Sequence, residues 1–401
     1  MKKMLSILTA AAALLTVSCT KDGDYDAFGG YSEKGGDYDA PTGAYDGGMN
    51  GGQNGGGGEA GVLTAAEWND LANWSFWTGV INNQEWNSSF EMWKFDTSAR
   101  IAVRVKDAEE KPVANVTVEL MQGQSVLWTA KTTNQGEANL WHGLYPADIE
   151  PAEGLTLRID GQDVGEPVIT TGKEEQTPVW NEYTVTTAAA PAKADIAFVV
   201  DATGSMGDEI AFLKKDLLSI LKKVQSSQSG VEIRTGTVFY RDKGDDYVTR
   251  YSAFTTSISS TMNYISNQNA SGGGDLPEAV HTALEATLQN LDWNPEARTR
   301  LAFLILDAPA HYNEAEVIES LHQSIEAFAG NGIRIIPVLA STGDKTTEFM
   351  CRYFSIVTGG TYVFLTDDSG VGDSHLTPTV GQYTVEHLND LLVRLIEEYI
   401  S

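Results

Sequence analysis

The sequence predicts an α/β protein: a doubly wound, mainly parallel sheet, preceded by a small all-β sandwich and a disordered tether. Three observations carry this prediction. Strand and helix patterns alternate from residue 194 to 401, which is typical of a parallel sheet covered by helices on both faces. Strand patterns without helices cover 97–187, and a Gly- and Asp-rich stretch covers 19–61.

Length and charge restrict the function classes. The chain has 401 residues, enough for two or three domains. It carries 27 basic against 55 acidic residues, a formal net charge of -28. Such a surface opposes nucleic acid, whose binding rests on basic contacts to phosphates, and it opposes anionic lipid heads as well. The same surface is compatible with binding of cations.

Residues 1–18 have the features of a signal peptide. Lys2 and Lys3 precede an apolar stretch, 5–17, that is too short to span a bilayer permanently. Thr-Val-Ser-Cys at 16–19 resembles the lipobox of bacterial lipoproteins, although Thr16 replaces the usual Leu. The resemblance implies lipidation of Cys19 and anchoring to an outer membrane, on its periplasmic side or at the cell surface. An ordinary secretory signal is the alternative.

Residues 19–61 predict a tether between the lipid and the folded body. Fifteen of the 41 residues from 21 to 61 are Gly, and Asp-Tyr-Asp-Ala occurs at 24–27 and again at 37–40. Such a segment cannot bury enough apolar surface to offset its ordering entropy. Its acidic start resembles the surface-export signals of Bacteroidetes lipoproteins.

Residues 62–96 are rich in tryptophan and are expected to be helical. The run Leu-Thr-Ala-Ala-Glu at 63–67 predicts a helix start, with Thr64 as N-cap and Glu67 three residues later. Two roles remain open for the aromatic side chains: packing of a short helix against the next domain, and a platform for carbohydrate. The segment holds five of the nine Trp: Trp68, Trp74, Trp77, Trp86 and Trp93.

Residues 97–187 predict a β-sandwich. Apolar and polar residues alternate at 101–106 and 116–120, and turn signals lie at 110–112 and 134–136. The runs Lys-Pro-Val-Ala-Asn-Val at 111–116 and Thr-Thr-Asn-Gln-Gly at 132–136 resemble carboxypeptidase-regulatory-like and bacterial Ig-like sandwiches. The resemblance covers about 80 residues and implies a spacer or accessory module rather than a catalyst.

The alternating elements of 194–401 follow from apolar runs and helical periodicity. Cys351 lies in one of the helical patterns and is expected to be buried and inert. Strands are predicted at 195–201, 231–240, 246–254 (an edge strand), 299–307, 333–340 and 361–365. Helices are predicted at 207–226, 257–267, 277–291, 314–330, 346–358 and 384–400.

A metal site is predicted where the first of these strands turns into a helix. Asp201, Thr203 and Ser205 follow the apolar run 196–200, and their alternate spacing lets one short loop direct three oxygens to one point. Hard oxygen donors suit a hard divalent cation such as Mg²⁺. Open α/β sheets bind their ligands at this carboxyl end of the strands.

Two later acids are expected to converge on the same point. Asp275 lies on a Gly-rich loop before a helix, and Asp307 ends a strand predicted to neighbour the first one. Asp242 and Glu278 are candidates for an outer layer around the metal; the alternative for Asp242 is an ion pair with Arg241 or Lys243. His311 is expected to lie on a solvent-facing loop, with a position lining the site as the alternative.

Residues 195–400 resemble the von Willebrand factor A domain with its metal-ion-dependent adhesion site. The family pattern D-x-S-x-S stands here as Asp201-x-Thr203-x-Ser205, and the family Asp that closes a later strand stands as Asp307. The resemblance implies that Thr203 and Ser205 coordinate Mg²⁺ through their hydroxyls, with Mn²⁺ or Ca²⁺ as alternatives. It implies that Asp201 and Asp307 act directly or through water. The last position is left for a carboxylate of a partner protein.

The family usually has Thr where this chain has Asp275. A third carboxylate cancels more of the ion's charge and weakens its pull on an acidic ligand. We therefore expect weaker dependence on a partner's Asp or Glu, or a metal that is mainly structural. The alternative for Asp275 is a helix cap before Pro277.

Patterns of enzymes are missing from the sequence. It has no G-x-S-x-G elbow, no H-E-x-x-H and no G-x-x-x-x-G-K-[ST] phosphate loop. The sequence therefore predicts a non-catalytic, metal-dependent protein-binding lipoprotein of the cell envelope, used for adhesion or assembly of a complex. The alternatives are a scaffold or chaperone-like subunit with a structural metal, and a glycan-binding protein that uses the Trp-rich segment.

Overall fold

The computed structural model describes residues 63–145, 152–172, 177–274, 276–340, 343–369 and 375–401. The predicted signal peptide, Cys19, the predicted tether and Asp275 lie outside these residues. The described residues all fall within one unit, Gly56–Ser401. In them, no helix has the length and apolar character that crossing a membrane requires.

The elements are numbered in chain order. The strands are β1 (Thr64–Trp68), β2 (Ala99–Lys106), β3 (Thr117–Gln122), β4 (Ser125–Lys131), β5 (Glu137–Trp141), β6 (Leu155–Ile159), β7 (Gln162–Gly165), β8 (Thr170–Thr171), β9 (Trp180–Thr184), β10 (Lys193–Asp201), β11 (Glu232–Tyr240), β12 (Thr249–Thr255), β13 (Thr299–Leu306), β14 (Ile333–Leu339), β15 (Tyr362–Thr366) and β16 (Glu386–His387). The helices are α1 (Trp74–Ile81), α2 (Asn87–Trp93), α3 (Gly207–Ser227), α4 (Ile258–Ser266), α5 (Val280–Asn290), α6 (Ala315–Gly330), α7 (Lys345–Thr358) and α8 (Leu388–Ile400).

The large sheet is mixed rather than purely parallel. Its strand order is β12-β11-β10-β13-β14-β15-β1-β16. The five adjacent strands β11, β10, β13, β14 and β15 run parallel to one another, as predicted. β12 at one edge, and β1 and β16 at the other, pair antiparallel. The six strands and six helices predicted beyond residue 194 are all present, so the doubly wound parallel prediction is confirmed in part.

Helices cover both faces of this sheet. Successive side chains of a strand point to opposite faces. In β10, Ile196 and Phe198 are buried in one cluster with α3, α4 and α8, whereas Ala197 and Val199 are buried in a second cluster with α5, α6 and α7. A strand that is buried on both faces explains the continuous apolar run before Asp201.

The expected helix start at 63–67 is wrong, because these residues form β1. Thr64 pairs with Thr366 and Trp68 pairs with Tyr362, so the segment completes the large sheet. The Thr64 hydroxyl donates to the Thr366 carbonyl at 3.1 Å instead of capping a helix. A capping-box pattern is a local signal, and pairing with a distant buried strand overrides it.

Two four-stranded sheets precede β10. In one, β2 pairs with β5, β8 and β9, and in the other the order is β4-β3-β6-β7. Their inner side chains, among them Val103 and Leu120, are buried in the same cluster as α6 and α7. Tyr145 stacks on His322 with ring centroids 4.1 Å apart. These sheets therefore share a core with the helices of the large sheet.

The tryptophans of the segment 62–96 are buried. Trp77 donates to the Thr97 hydroxyl at 2.8 Å, Trp86 stacks on Phe349 at 5.5 Å, and Trp74 lies under the Arg100 guanidinium. All five indole rings belong to the buried core. The structure therefore agrees with packing, because a buried ring cannot offer its face to a sugar.

Candidate metal site at the carboxyl edge of the large sheet

The site begins with two acids at the ends of neighbouring strands. β10 pairs with β13 in parallel, with Val200 opposite Ile305. Asp201 and Asp307 therefore leave the same edge of the sheet, on strands about 4.8 Å apart. Both carboxyl groups are buried, and that of Asp201 has no exposed surface.

The loop after β10 brings three side-chain groups with oxygen atoms close together. Asp201 Oδ1 accepts hydrogen bonds from the Thr203 amide at 2.8 Å and from the Thr203 hydroxyl at 2.7 Å. The hydroxyl oxygens of Thr203 and Ser205 lie 3.5 Å apart. Ser205 is exposed while Asp201 and Thr203 are buried, so the site has one open side.

Backbone hydrogen bonds fix this loop to two others. The Ala202 amide donates to the Tyr240 carbonyl at 2.8 Å, and the Ser271 amide donates to the Ala202 carbonyl at 3.0 Å. The Gly204 amide donates to the Gly272 carbonyl at 3.1 Å. The loops after β10 and β11 and the Gly-rich loop therefore hold one another in place.

The Gly-rich loop lies so close to neighbouring side chains that Gly272 and Gly273 have no room for a Cβ atom. Gly272 and Gly273 have φ values of 81° and 68°, in the left-handed region that favours glycine. A Cβ on Gly272 would lie 2.4 Å from Asp245 Oδ1. A Cβ on Gly273 would lie 3.0 Å from Glu278 Oε1 and 3.1 Å from Thr203 Cβ. The Glu278 carboxylate and the Thr203 side chain thus flank one point beside this loop.

Glu278 is held next to Asp307 by its backbone. The Glu278 amide donates to the Pro309 carbonyl at 2.9 Å, and Glu278 forms a parallel bridge with Ala310. Its side chain is 3 % exposed. The segment that follows Asp307 therefore places a third carboxyl group at the site.

Burial raises the pKa of Asp201 and of Glu278, and neighbouring acids add to the effect. Burial first, and then repulsion by Asp307, raise the pKa of Asp201 to about 7, although the hydrogen bonds from Thr203 act in the opposite direction. Burial, followed by Asp201, Asp242, Asp307 and Asp245, raises the pKa of Glu278 to about 9. A positive charge at this point would offset both effects.

Asp201 Oδ2 and Glu278 Oε2 are buried and have no hydrogen-bond partner of standard geometry among the described residues. The Tyr240 hydroxyl is likewise buried without such a partner, although it lies close enough to Asp201 to lower the pKa of that residue. Because buried polar groups are nearly always paired, such oxygens indicate a group that would satisfy them. Among all the residues that the structure describes, no group of three or more His, Cys, Asp or Glu side chains is arranged to hold a metal ion by itself. The donors here are instead a mixture of carboxylate and hydroxyl oxygens, which suits Mg²⁺.

Two predictions for residues next to the site are corrected. Asp242 pairs with neither Arg241 nor Lys243: it accepts from His311 Nε2 at 2.6 Å, while Lys243 pairs with Glu314. Arg241 donates to backbone carbonyls instead. His311 is not solvent-facing, because its side chain is 16 % exposed. Its bond to Asp242 joins the loops after β11 and β13, which proximity in sequence could not show.

Sequence reasoning missed Tyr240. It is fully buried and pairs in register with Asp201. Burial, and then the charges of Asp201 and Asp307, raise the pKa of Tyr240 well above 10. The signal was available, because a Tyr at the end of a strand next to β10 must lie beside Asp201.

The part of the chain that carries this site matches a protein family. Residues 195–348 match the family model described as the von Willebrand factor A domain. The chain contains a von Willebrand factor A domain. Domains of this kind commonly mediate protein–protein interaction, so an interaction or adhesion role is the one suggested for this chain.

Two curated proteins share part of the sequence. An ariadne-like RING finger protein of Acanthamoeba polyphaga mimivirus is 30% identical over 189 residues, which cover 43% of this chain and 18% of that protein. The alpha-protein kinase vwkA of Dictyostelium discoideum is 25% identical over 261 residues, which cover 62% of this chain and 40% of the kinase. The chain therefore spans less than half the length of either relative.

Solved structures show weaker likeness. Proximal thread matrix protein 1 from the mussel byssus aligns with a TM-score of 0.34 and 16% identity, over 52% of this chain and 45% of that one. BatB from Bacteroides thetaiotaomicron aligns with a TM-score of 0.35 and 14% identity, over 51% of this chain and 98% of that one.

Proposed function

We propose that this protein binds a partner protein through a divalent cation held at the carboxyl edge of its von Willebrand factor A domain, without catalysis. One observation carries the proposal. The buried carboxylate of Asp201 and the hydroxyls of Thr203 and Ser205 lie on one short loop, beside Asp307 on the neighbouring strand. The role is adhesion or assembly of a complex.

The cation is proposed to be Mg²⁺, with Mn²⁺ and Ca²⁺ as alternatives. Asp201, Thr203, Ser205 and Asp307 would hold it, and Asp275, predicted as a further donor, lies outside the described residues. Mg²⁺ prefers octahedral oxygen coordination and usually keeps several waters. The exposure of Ser205 supports an exchangeable position on the open side.

The cellular setting is proposed from the sequence. Lipidation at Cys19 would anchor the chain to the outer membrane, facing the periplasm or the cell surface, with no other contact to lipid. Labelling with a fatty-acid analogue, compared between the natural chain and Cys19→Ser, tests this. Equal labelling of the two would exclude an anchor at Cys19.

Cation binding is tested by titrating the purified chain with Mn²⁺ in a calorimeter. Asp201→Asn removes a central carboxylate and is expected to abolish the binding. Asp292→Asn is the matched control, because Asp292 is exposed and lies in the loop before β13, at the amino edge of the sheet. Equal Mn²⁺ affinity in the two variants would refute the proposed site.

Partner binding is tested by affinity capture from envelope extracts, with and without EDTA. We expect the natural chain and Asp292→Asn to retain the same partner, and EDTA or Asp201→Asn to release it while the protein remains folded at the temperature of the assay. Capture that resists both EDTA and Asp201→Asn would contradict metal-dependent binding.

A scaffold with a structural metal is the second candidate. The nearly complete burial of Asp201, Thr203 and Asp307 favours it, because buried like charges weaken a fold unless an ion neutralises them. In that case EDTA unfolds the protein at the temperature of the capture assay, and partner capture is lost together with the folded protein. No observation supports the glycan-binding alternative.

A further inference from the structure

We propose that Glu278 sets the ligand preference of this site by adding a third negative charge, so that the open position takes a neutral oxygen donor rather than a carboxylate. The inference rests on the proposed function. It concerns a residue outside the D-x-T-x-S loop, and it identifies the chemistry of the partner.

The position of Glu278 supports a direct effect of its charge on the cation. The Glu278 carboxylate and Thr203 flank the same point beside Gly273, and the bond from the Glu278 amide to Pro309 fixes its backbone beside the end of β13. Glu278 Oε2 is buried and has no hydrogen-bond partner among the described residues. The side chain therefore has a free oxygen in the interior of the site, whether it contacts a cation directly or through water.

Charge then decides which ligand is favoured. A dication with Asp201 and Asp307 alone forms a neutral centre, but Glu278 makes the centre negative by one charge. The dication favours the ionised form of Glu278, as an opposite charge does. Asp242 and Asp245 lie close enough to affect Glu278 as well. A partner carboxylate would enter against these charges in a buried, weakly screened place.

The partner expected from this chemistry offers a hydroxyl, amide or backbone carbonyl oxygen. It is further expected to surround that oxygen with basic side chains, because the chain as a whole carries a formal charge of -28. This differs from the acidic partner that the family resemblance implies.

Glu278→Gln tests the inference because it keeps the shape and removes the charge. Two affinities are measured by calorimetry on the full chain: Mn²⁺ for the protein, and acetate, as the carboxylate probe, for the Mn²⁺-loaded protein. We expect Glu278→Gln to weaken Mn²⁺ binding about tenfold, because one attractive negative charge is lost. We expect it to strengthen acetate binding by about the same factor, because the same charge no longer repels the acetate carboxylate. A role in folding alone would not move the two affinities in opposite directions.

Two further variants make the result specific. Asp246→Asn removes an exposed charge from the nearby loop, and it is expected to change each affinity less than twofold. Asp275→Asn tests the other acid of the Gly-rich loop. The inference is overturned if Glu278→Gln leaves acetate binding unchanged, or if Asp275→Asn and not Glu278→Gln produces the opposite shifts.

The outcomes separate this inference from the proposed function. If Asp201→Asn abolishes Mn²⁺ binding while Glu278→Gln behaves as the natural chain, the proposed cation site is supported and the proposed role of Glu278 is refuted. If neither substitution changes Mn²⁺ binding, both proposals fall. Melting curves recorded for each variant show that the protein measured is folded.

Discussion

Two groups of buried acids in this protein differ in what surrounds them. Glu348 lies in the first turn of α7, Asp70 pairs with Arg352 in the middle of the same helix, and each of these buried acids contacts a basic side chain. Asp70 accepts from Arg352 at 2.7 and 2.9 Å and from the Trp68 indole at 2.9 Å. Glu348 pairs with Lys345 at 2.7 Å. Although burial by itself acts against the charge, Asp70 raises the pKa of Arg352.

The group around Asp201 has the opposite surroundings. Asp201, Asp307 and Glu278 are buried as well, but the charged groups around Asp201 and Glu278 are other acids. Burial first, and these acids in addition, raise the pKa values of Asp201 and Glu278. The comparison teaches that burial alone does not distinguish structural from functional acids. Arg352 and Lys345 neutralise the acids of the first group, whereas a bound metal cation would neutralise those of the second.

The largest expected effect comes from breaking the balanced group. Arg352→Met leaves Asp70 buried without its cation and should lower the free energy of unfolding by about 3–5 kcal/mol. Urea unfolding of the purified chain measures this. The double variant Arg352→Met/Asp70→Leu should recover part of the loss, and a double variant as unstable as Arg352→Met would argue against the unpaired charge as the cause.

The next effect concerns the unbalanced group. Mg²⁺ at 100 times its dissociation constant should raise the free energy of unfolding by about 2.7 kcal/mol, because it binds only the folded chain. The increase should vanish in Asp201→Asn and persist in Asp292→Asn. Urea unfolding with and without Mg²⁺ measures it, and an equal gain in both variants would place the cation elsewhere.

The smallest effect comes from one chemical change made in both groups. Glu348→Gln can still accept from the Thr379 amide through its remaining oxygen, but it loses the charged bond from Lys345, and it should lower the free energy of unfolding by about 1–3 kcal/mol. Glu278→Gln, measured in EDTA, replaces a carboxyl group whose pKa burial and the neighbouring acids raise to about 9, so that it is uncharged at neutral pH. It should leave the free energy of unfolding nearly unchanged. The same sign and size for both substitutions would erase the distinction drawn between the groups.

The sequence predicted the elements that carry the site because their signals are local. The apolar run before Asp201 and the helical periodicity after it lie within about 30 residues, and both are confirmed by β10 and α3. The adjacency of β10 and β13 followed from the rules of doubly wound sheets. The convergence of Asp201 with Asp307 was therefore predictable.

What escaped prediction depends on contacts between distant segments. The pairing of β1 with β15 joins residues about 300 positions apart in the sequence. The bond between Asp242 and His311 joins two loops whose relative placement only the folded sheet decides. Glu278 was predicted only as an outer candidate, since its burial depends on the bond of its amide to Pro309.

The place of β1 in the large sheet has a practical consequence. A fragment that begins at residue 194, where the alternating pattern starts, would leave the outer edge of β15 bare, with a row of unsatisfied amide and carbonyl groups. Such an edge is a template for joining another chain. We expect that fragment to self-associate during expression, and a fragment that begins before Leu63 to remain dispersed.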